Sequence, residues 1–238
     1  MVDLHCHLIY DTDDGAKTIE NSVGILKEAY KAGFKEICCT PHYLENVYIK
    51  TKAENEKKLE EIRNKLKEEN INIKLYLGNE IYITENIKEL LLNEKITTIG
   101  KSNYILIEFP MNFKLTCAEE IVENLIYNQY NVILAHPERY KYIQKDIKYL
   151  ENFTERGVYL QGNYESLLGK YGTSAKKILK KLLKEEKITF LATDSHKENS
   201  TYTRMDKVLR VLKRYAKREY YENITEKNPQ KILKNKKI

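Results

Sequence analysis

Five histidines, His5, His7, His42, His136 and His196, are the only imidazoles in this 238-residue chain, and each falls at or just past the end of a short apolar run. Carboxylates hold matching places: Asp14 after the first run, Glu80 after the third, Glu108 after the fourth and Asp194 after the last. His5 and His7 alternate, so in an extended strand both rings lie on one face, as two ligands of one ion require. Each residue has an ordinary role open to it alone. A single His is more often a hydrogen-bonded structural residue than a ligand, Glu80 or Glu108 could cap a helix or form a salt bridge, and Asp14 within Asp13-Asp14-Gly15 could make a turn. Ionisable groups that end apolar strands are nevertheless costly to bury unless paired or metal-bound. Those ordinary roles would have to hold independently at all nine positions, so the pattern predicts a metal cluster. Imidazoles and carboxylates without thiolates suit Mn, Fe, Zn or Co, with Mg also open, rather than a Cys-rich structural zinc site. Nine donors exceed the needs of one ion, whereas shared carboxylates allow two or three. Such clustered ions generate hydroxide at neutral pH and stabilise both oxygens of a phosphoryl displacement. The reaction expected is metal-assisted hydrolysis of a phosphate ester.

Thiol chemistry does not fit. A cysteine-dependent phosphatase needs an Arg in the loop that cradles its phosphate. Six positions beyond Cys6, Cys38, Cys39 and Cys117 stand Thr12, Leu44, Glu45 and Glu123. Cys6 alternates away from His5 and His7, so packing is its expected role. A GxSxG nucleophile elbow is also absent.

The elements that must position these groups alternate along nearly the whole chain. Strands are expected at Val2–His5, Glu36–Thr40, Ile73–Leu77, Tyr104–Ile107, Val132–Ala135, Val158–Leu160 and Thr189–Ala192. Helices are expected from Thr18 as N-cap through Ala32 with Gly33 as stop, and over Lys52–Glu69, Ile83–Leu92, Ala118–Asn128, Lys141–Arg156, Ala175–Glu186, Met205–Lys217 and Pro229–Lys234. No linker or repeat interrupts them, so one domain is expected over residues 1–238. Seven strands alternating with helices imply a parallel sheet, and a barrel rather than an open one. In such a barrel the C-terminal strand ends share one face, where catalytic residues gather.

Composition bounds the rest. Hydrophobic residues make up 42% of the chain, near the globular norm, which excludes a disordered chain. No apolar run approaches the roughly 20 residues that span a bilayer. The four cysteines lack CxxC spacing, and a strand-like segment follows Met1 almost at once, so a reducing cytoplasm is the expected location. The net charge of +6 sits largely in helical runs such as Lys176–Lys187 and in Lys231–Lys237. That reads as solvated helix face, with attraction of an acidic partner or phosphorylated substrate as the sharper alternative. Nineteen tyrosines show no aromatic-and-basic pattern of a nucleic-acid surface.

Taken together, Asp3-Leu4-His5-Cys6-His7, Asp13-Asp14-Gly15-Ala16, Thr40-Pro41-His42, Gly78-Asn79-Glu80, Ile107-Glu108, Ala135-His136-Pro137-Glu138-Arg139-Tyr140 and Thr193-Asp194-Ser195-His196 give the chain a family likeness. It resembles the polymerase-and-histidinol-phosphatase (PHP) superfamily. More narrowly, it is similar to the bacterial manganese-dependent protein-tyrosine phosphatases of capsule and exopolysaccharide loci, the CpsB/YwqE type. The likeness runs from residue 1 to about residue 235, with the DDGA and HPERY segments most specific to the subgroup.

This resemblance implies a distorted (β/α)7 TIM-like barrel, the PHP fold, with three ions. His5, His7, Glu80 and Asp194 would hold one; Glu80, Glu108 and His136 a second, Glu80 bridging; Asp14, His42 and His196 the third. It implies Mn as cofactor and, as substrate, the phosphotyrosine tail of a tyrosine autokinase that controls polysaccharide export. Hydrolysis would use a metal-activated hydroxide, with Glu108 and His42 among the catalytic groups. Arg139 follows His136 by three positions, and its planar fork suits two phosphate oxygens. Asp3 is expected to orient a ligand histidine. The family's second phosphate-binding Arg is missing from Lys197–Thr203; Arg204 arrives later, and Arg204 or Lys197 would take its place.

Other functions remain to be discriminated. One is a PHP small-molecule phosphoesterase such as histidinol-phosphate phosphatase, or a nuclease; another is a partner-binding module that keeps metal for stability. No nucleic-acid partner and no membrane insertion are expected, and a homo-oligomer is left open.

Overall fold

Strands and helices alternate as expected, but the strands number nine rather than seven in the computed structural model, which describes residues 1–238. They are β1 (Val2–Asp3), β2 (Glu36–Cys39), β3 (His42–Tyr43), β4 (Lys74–Leu77), β5 (Glu80–Tyr82), β6 (Tyr104–Glu108), β7 (Asn131–Ala135), β8 (Tyr159–Asn163) and β9 (Phe190–Ala192). Every ladder is parallel, in a three-stranded sheet β1-β2-β4 and a six-stranded sheet β3-β5-β6-β7-β8-β9. The two additional strands come from interruptions. Thr40-Pro41 separates β2 from β3, and Pro41 has no amide hydrogen to continue the ladder. Gly78-Asn79 separates β4 from β5, where a Cβ on Gly78 would lie 2.9 Å from Ile99 Cδ1. Hydrogen bonds still run across the breaks, Thr40 N to Cys6 O and Gly78 N to Cys39 O. The outcome is an α/β fold with a curled parallel sheet.

Inside the curl, period-two alternation sorts the side chains. On β6, Tyr104 and Leu106 join an 11-residue inner cluster with Val2, Ile133, Phe190 and Ile232. Ile105 and Ile107 face outward into a cluster of 51 residues shared with the helices. The same parity turns Glu108 inward at the end of β6.

The first and last strands are joined by a buried clasp. Cys6 pairs in parallel with Ser195, and His7 N donates to Ser195 O. Asp3 Oδ1 accepts from the amides of His5 (3.3 Å) and Thr193 (3.1 Å), while Oδ2 accepts from Thr193 Oγ1 and from the Tyr202 hydroxyl (2.8 Å). Burial pushes the Asp3 carboxyl up, opposed by these bonds. Asp3→Ala strands several buried donors, so it is expected to lower stability by about 2–4 kcal/mol, read as the urea unfolding midpoint. An unchanged midpoint would show that the clasp contributes nothing.

Helix boundaries differ mainly where a side chain competes for the backbone. The helix expected over Lys141–Arg156 breaks into Lys141–Lys145, a 3-10 turn Ile147–Leu150 and Glu151–Thr154. Asp146 is extended there, and its carboxylate accepts from Lys148 N (3.1 Å), capping a new turn instead of continuing the old one. The third helix begins at Ile87 rather than Ile83, and the one from Met205 ends at Leu212. Thr18 caps the helix Ile19–Lys31 by accepting from Asn21 N, and Gly33 follows with φ 88°.

Candidate metal centre

Glu80, the first residue of β5 and fully buried, lies among four imidazoles. Its Oε2 is 3.0 Å from His5 Nε2, 3.2 Å from His7 Nε2 and 3.1 Å from His42 Nδ1, and its Oε1 is 2.9 Å from His136 Nε2. His5 Nε2 and His7 Nε2 are 3.2 Å apart, and Asp194 Oδ1 lies 3.6 and 3.4 Å from them. Ligand atoms about 2.1 Å from one ion are roughly 3.0–3.4 Å from each other in octahedral or tetrahedral coordination. Four of the separations among His5, His7, Glu80 and Asp194 fall in this range, and His5 to Asp194, at 3.6 Å, lies just outside it. Glu80 Oε2 makes no hydrogen bond despite its burial, and His136 Nδ1 is likewise unpartnered. An orphaned carboxylate oxygen facing three imidazole nitrogens is the arrangement a cation satisfies, so the residues fit one.

The other expected donors are gathered around this set. His7, Asp14, His42 and His196 form a second group, with His196 Nε2 3.3 Å and His42 Nε2 3.7 Å from Asp14 Oδ1. His42, Glu80 and Glu108 form a third. His136 stands beside that group rather than in it, its Nε2 3.6 Å from Glu108 Oε1. His7 therefore belongs with the Asp14 group as well as with His5, which the three-ion expectation did not include. All nine candidates meet at the C-terminal strand ends. His136 and Asp194 hold left-handed backbones, φ 32° and 49°, at a typical cost of about 1–2 kcal/mol each. Those turns end β7 and follow β9, where the side chains enter the centre.

Neighbours aim the rings. Asp13 Oδ2 is 2.7 Å from His7 Nδ1 and also accepts from His42 N, while Asp13 Oδ1 accepts from Gly15 N. Gln161 Oε1, 2.8 Å from His5 Nδ1, does the same for the other ring. With Nδ1–H donating to these oxygens, both Nε2 lone pairs face the centre. The expected helper, Asp3, instead holds the backbone amide of His5 and does not touch a ring. Sequence reasoning missed Asp13 and Gln161. Asp13 was concealed beside Asp14, while Gln161 and Asn163 carry a readable signal, two polar residues at alternate positions of an apolar strand.

Charges are strongly coupled here. Burial alone would lower the His5 pKa, but Glu80 and Asp194 raise it to about 9. Burial, then Glu80, pushes Glu108 up to about 8, and burial, then Arg139, takes His136 down to about 4. Burial opposes ionisation of Asp13, yet His7 and His42 hold its carboxyl well below the usual range.

Arg139 Nη1 donates to Asp194 Oδ2 at 2.7 Å. Arg204 is 46% exposed and pairs with buried Glu165 (2.8 Å), and Lys197 is exposed. Cys6 is buried and donates toward Cys38 O, away from the imidazoles.

The capsular polysaccharide synthesis family CpsB/CapC matches residues 1–234 of this chain. The chain is 33% identical over its full length to the CapC protein of Staphylococcus aureus, covering 93% of that protein. It is 29% identical, again over its full length and 93% of the relative, to the tyrosine-protein phosphatase YwqE of Bacillus subtilis. A crystal structure from work on YwqE of Bacillus subtilis and CpsB of Streptococcus pneumoniae, described as unique metal-dependent tyrosine phosphatases, superposes with a TM-score of 0.93 at 28% identity, covering 100% of this chain and 96% of that one. The chain therefore belongs to the CpsB/CapC family of capsular polysaccharide synthesis.

Proposed function

We propose that the protein is a metal-dependent protein-tyrosine phosphatase. The observation that carries this reading is the buried cage of His5, His7, Glu80 and Asp194, with donor contacts of 3.0–3.6 Å and one donor, Glu80 Oε2, without a hydrogen bond. We assign ligand roles to His5, His7, Asp14, His42, Glu80, Glu108, His136, Asp194 and His196, Mn as the ion, and two or three ions in all. When bound, such ions supply Lewis acidity toward phosphoryl oxygens and lower the pKa of water.

The chain's own residues do the rest. The Arg139 fork binds two non-bridging phosphate oxygens, turning from Asp194 toward the substrate. Asp13 and Gln161 fix the ring orientations. Glu108 and His42 close the centre beside Glu80. Tyrosine departs as a phenolate of pKa near 10, which needs less help from an acid than an alkoxide would. Arg204 or Lys197 gives a second contact to the substrate.

We read the strands as seven passes of a distorted (β/α)7 barrel, one domain over residues 1–238, because β2–β3 and β4–β5 each continue across a break and Cys6 pairs with Ser195. The substrate we propose is a phosphotyrosine tail of a tyrosine autokinase in polysaccharide export, met in the cytoplasm. No helix is long and apolar enough to cross a membrane.

Purified protein is expected to hydrolyse a phosphotyrosyl peptide with added Mn, to lose that activity in chelator, and to keep it in Cys6→Ser. Turnover of histidinol phosphate or single-stranded DNA faster by orders of magnitude would overturn the substrate assignment. Loading should also be pH-dependent. In the cation-free protein His5, raised to about 9, His7, raised against the effect of burial well above its usual value by Asp13, and Glu108, raised to about 8, hold protons at pH 7. A cation must displace the protons on its ligand atoms, so apparent affinity should rise about tenfold per pH unit for each proton released. Calorimetry in buffers of different ionisation enthalpy would read the protons; no release at pH 7 would contradict the ligand assignment.

A further inference from the structure

The two oxygens of Asp194 face different partners. Oδ1 faces His5 and His7, whereas Oδ2 accepts from Arg139 Nη1 and Asn163 Nδ2, each at 2.7 Å. The Tyr171 hydroxyl stands 3.4 Å from that same Oδ2, and the Arg139 guanidinium carbon lies 4.5 Å from the centre of the Tyr171 ring. We propose that Tyr171 is a positioning residue: its ring is the platform on which Arg139 is held for the phosphate, and so it sets phosphate affinity. This rests on the reading of Arg139 as the phosphate ligand.

The local chain is built to place that ring. Tyr171 sits in the connection after β8, between Gly169 and Gly172, whose φ values of 88° and 92° suit glycine. Gly172 N closes the turn on Gly169 O. The 3-10 helix Tyr164–Leu168 leading into it is fixed by the neighbour of Arg139. Buried Glu138 Oε1 accepts from Asn163 N (2.9 Å) and Ser166 Oγ (2.7 Å). Consecutive residues of the HPERY segment thus play complementary parts, Glu138 anchoring the connection while Arg139 lies on the ring it carries. Lys170 is tied to Glu165 at 2.6 Å, with its ammonium 5.3 Å from the Tyr171 ring, so a second cation borders the platform. A long, flexible arginine side chain loses less entropy on binding phosphate when a flat ring already restricts it.

The test measures binding of inorganic phosphate to the Mn-loaded protein by calorimetry, together with KM and kcat on a phosphotyrosyl peptide. Tyr171→Leu is expected to weaken phosphate binding about five- to thirtyfold and to raise KM in parallel, with metal content unchanged. Tyr171→Phe, which keeps the ring, is expected to restore most of the affinity. In an Arg139→Leu background, Tyr171→Leu should add no further loss, which a general loosening of the connection would not reproduce. The proposal falls if Tyr171→Leu binds phosphate normally while Arg139→Leu does not, if Tyr171→Phe loses as much as Tyr171→Leu, or if the two losses simply add. Normal phosphate binding by Arg139→Leu would instead remove the reading of Arg139 itself, and this proposal with it.

Discussion

Glu80→Gln is expected to cut kcat/KM on a phosphotyrosyl peptide at least about a thousandfold while the protein stays folded. Glu80 is the one carboxylate within 3.2 Å of four imidazole nitrogens, three on Oε2 and one on Oε1. An amide of the same shape removes one negative charge and turns an NH2 toward nitrogens that must keep their lone pairs for a cation. In the cation-free protein the same charge counters burial to raise His5 and is itself held far down by His5 and His42. Removing it should therefore also let those rings shed protons at lower pH. Metal content by mass spectrometry separates the routes: the variant should hold fewer ions than the unmodified protein. Full metal content with full activity would show that Glu80 is a bystander.

Gly15→Ala should be nearly as damaging, although Gly15 bears no chemistry. A Cβ there would lie 2.2 Å from His7 O and 2.6 Å from His7 Cβ. The first is a backbone atom of the segment after β1 that carries both candidate histidines, and Ala16 N donates to the same carbonyl. The third neighbour is Asp13 Oδ1 at 3.0 Å, on the residue that aims the His7 ring. Relief requires moving either the segment that carries His7 or the turn Asp13–Ala16, and with the turn the carboxylate that aims the ring. Overpacking of this kind typically costs about 1–3 kcal/mol, and a displacement near 1 Å at a reacting centre costs roughly a hundredfold in rate. Thermal unfolding and kcat/KM check the two parts, and normal values of both would mean that the segment Asp13–Ala16 yields without moving His7.

The candidate donors were legible because burying such groups is expensive. Imidazoles and carboxylates at the ends of apolar strands have few other uses, and all nine lie together at one end of the sheet. The pairing of His7 with two groups was not legible, since residue spacing says which face a ring takes but not which of its neighbours come within ligand distance. Gln161 and Asn163 were passed over for a related reason. They carry no charge, so a scan for ionisable groups skips them, and the strand was expected to end at Leu160. Asp3 pointed the same way for the wrong reason: its buried bonds serve the backbone clasp. The strand breaks at Pro41 and Gly78 were visible as residues but not as breaks, because hydrogen bonding resumes within two positions of each. The helix expected through Asp146 failed where one carboxylate preferred a nearby amide to solvent.

The clasp between β1 and the segment after β9 has a consequence for the order of folding. His5 precedes Asp194, and His7 precedes His196, by 189 positions in the chain. Strands β6, β7 and β8 can pair through short connections, whereas the cage and the ties from Asp3 to Thr193 and Tyr202 wait on contacts between groups far apart in sequence. A polypeptide without β9 and the segment after it would keep His5, His7 and Glu80 but lack Asp194 to complete the cage.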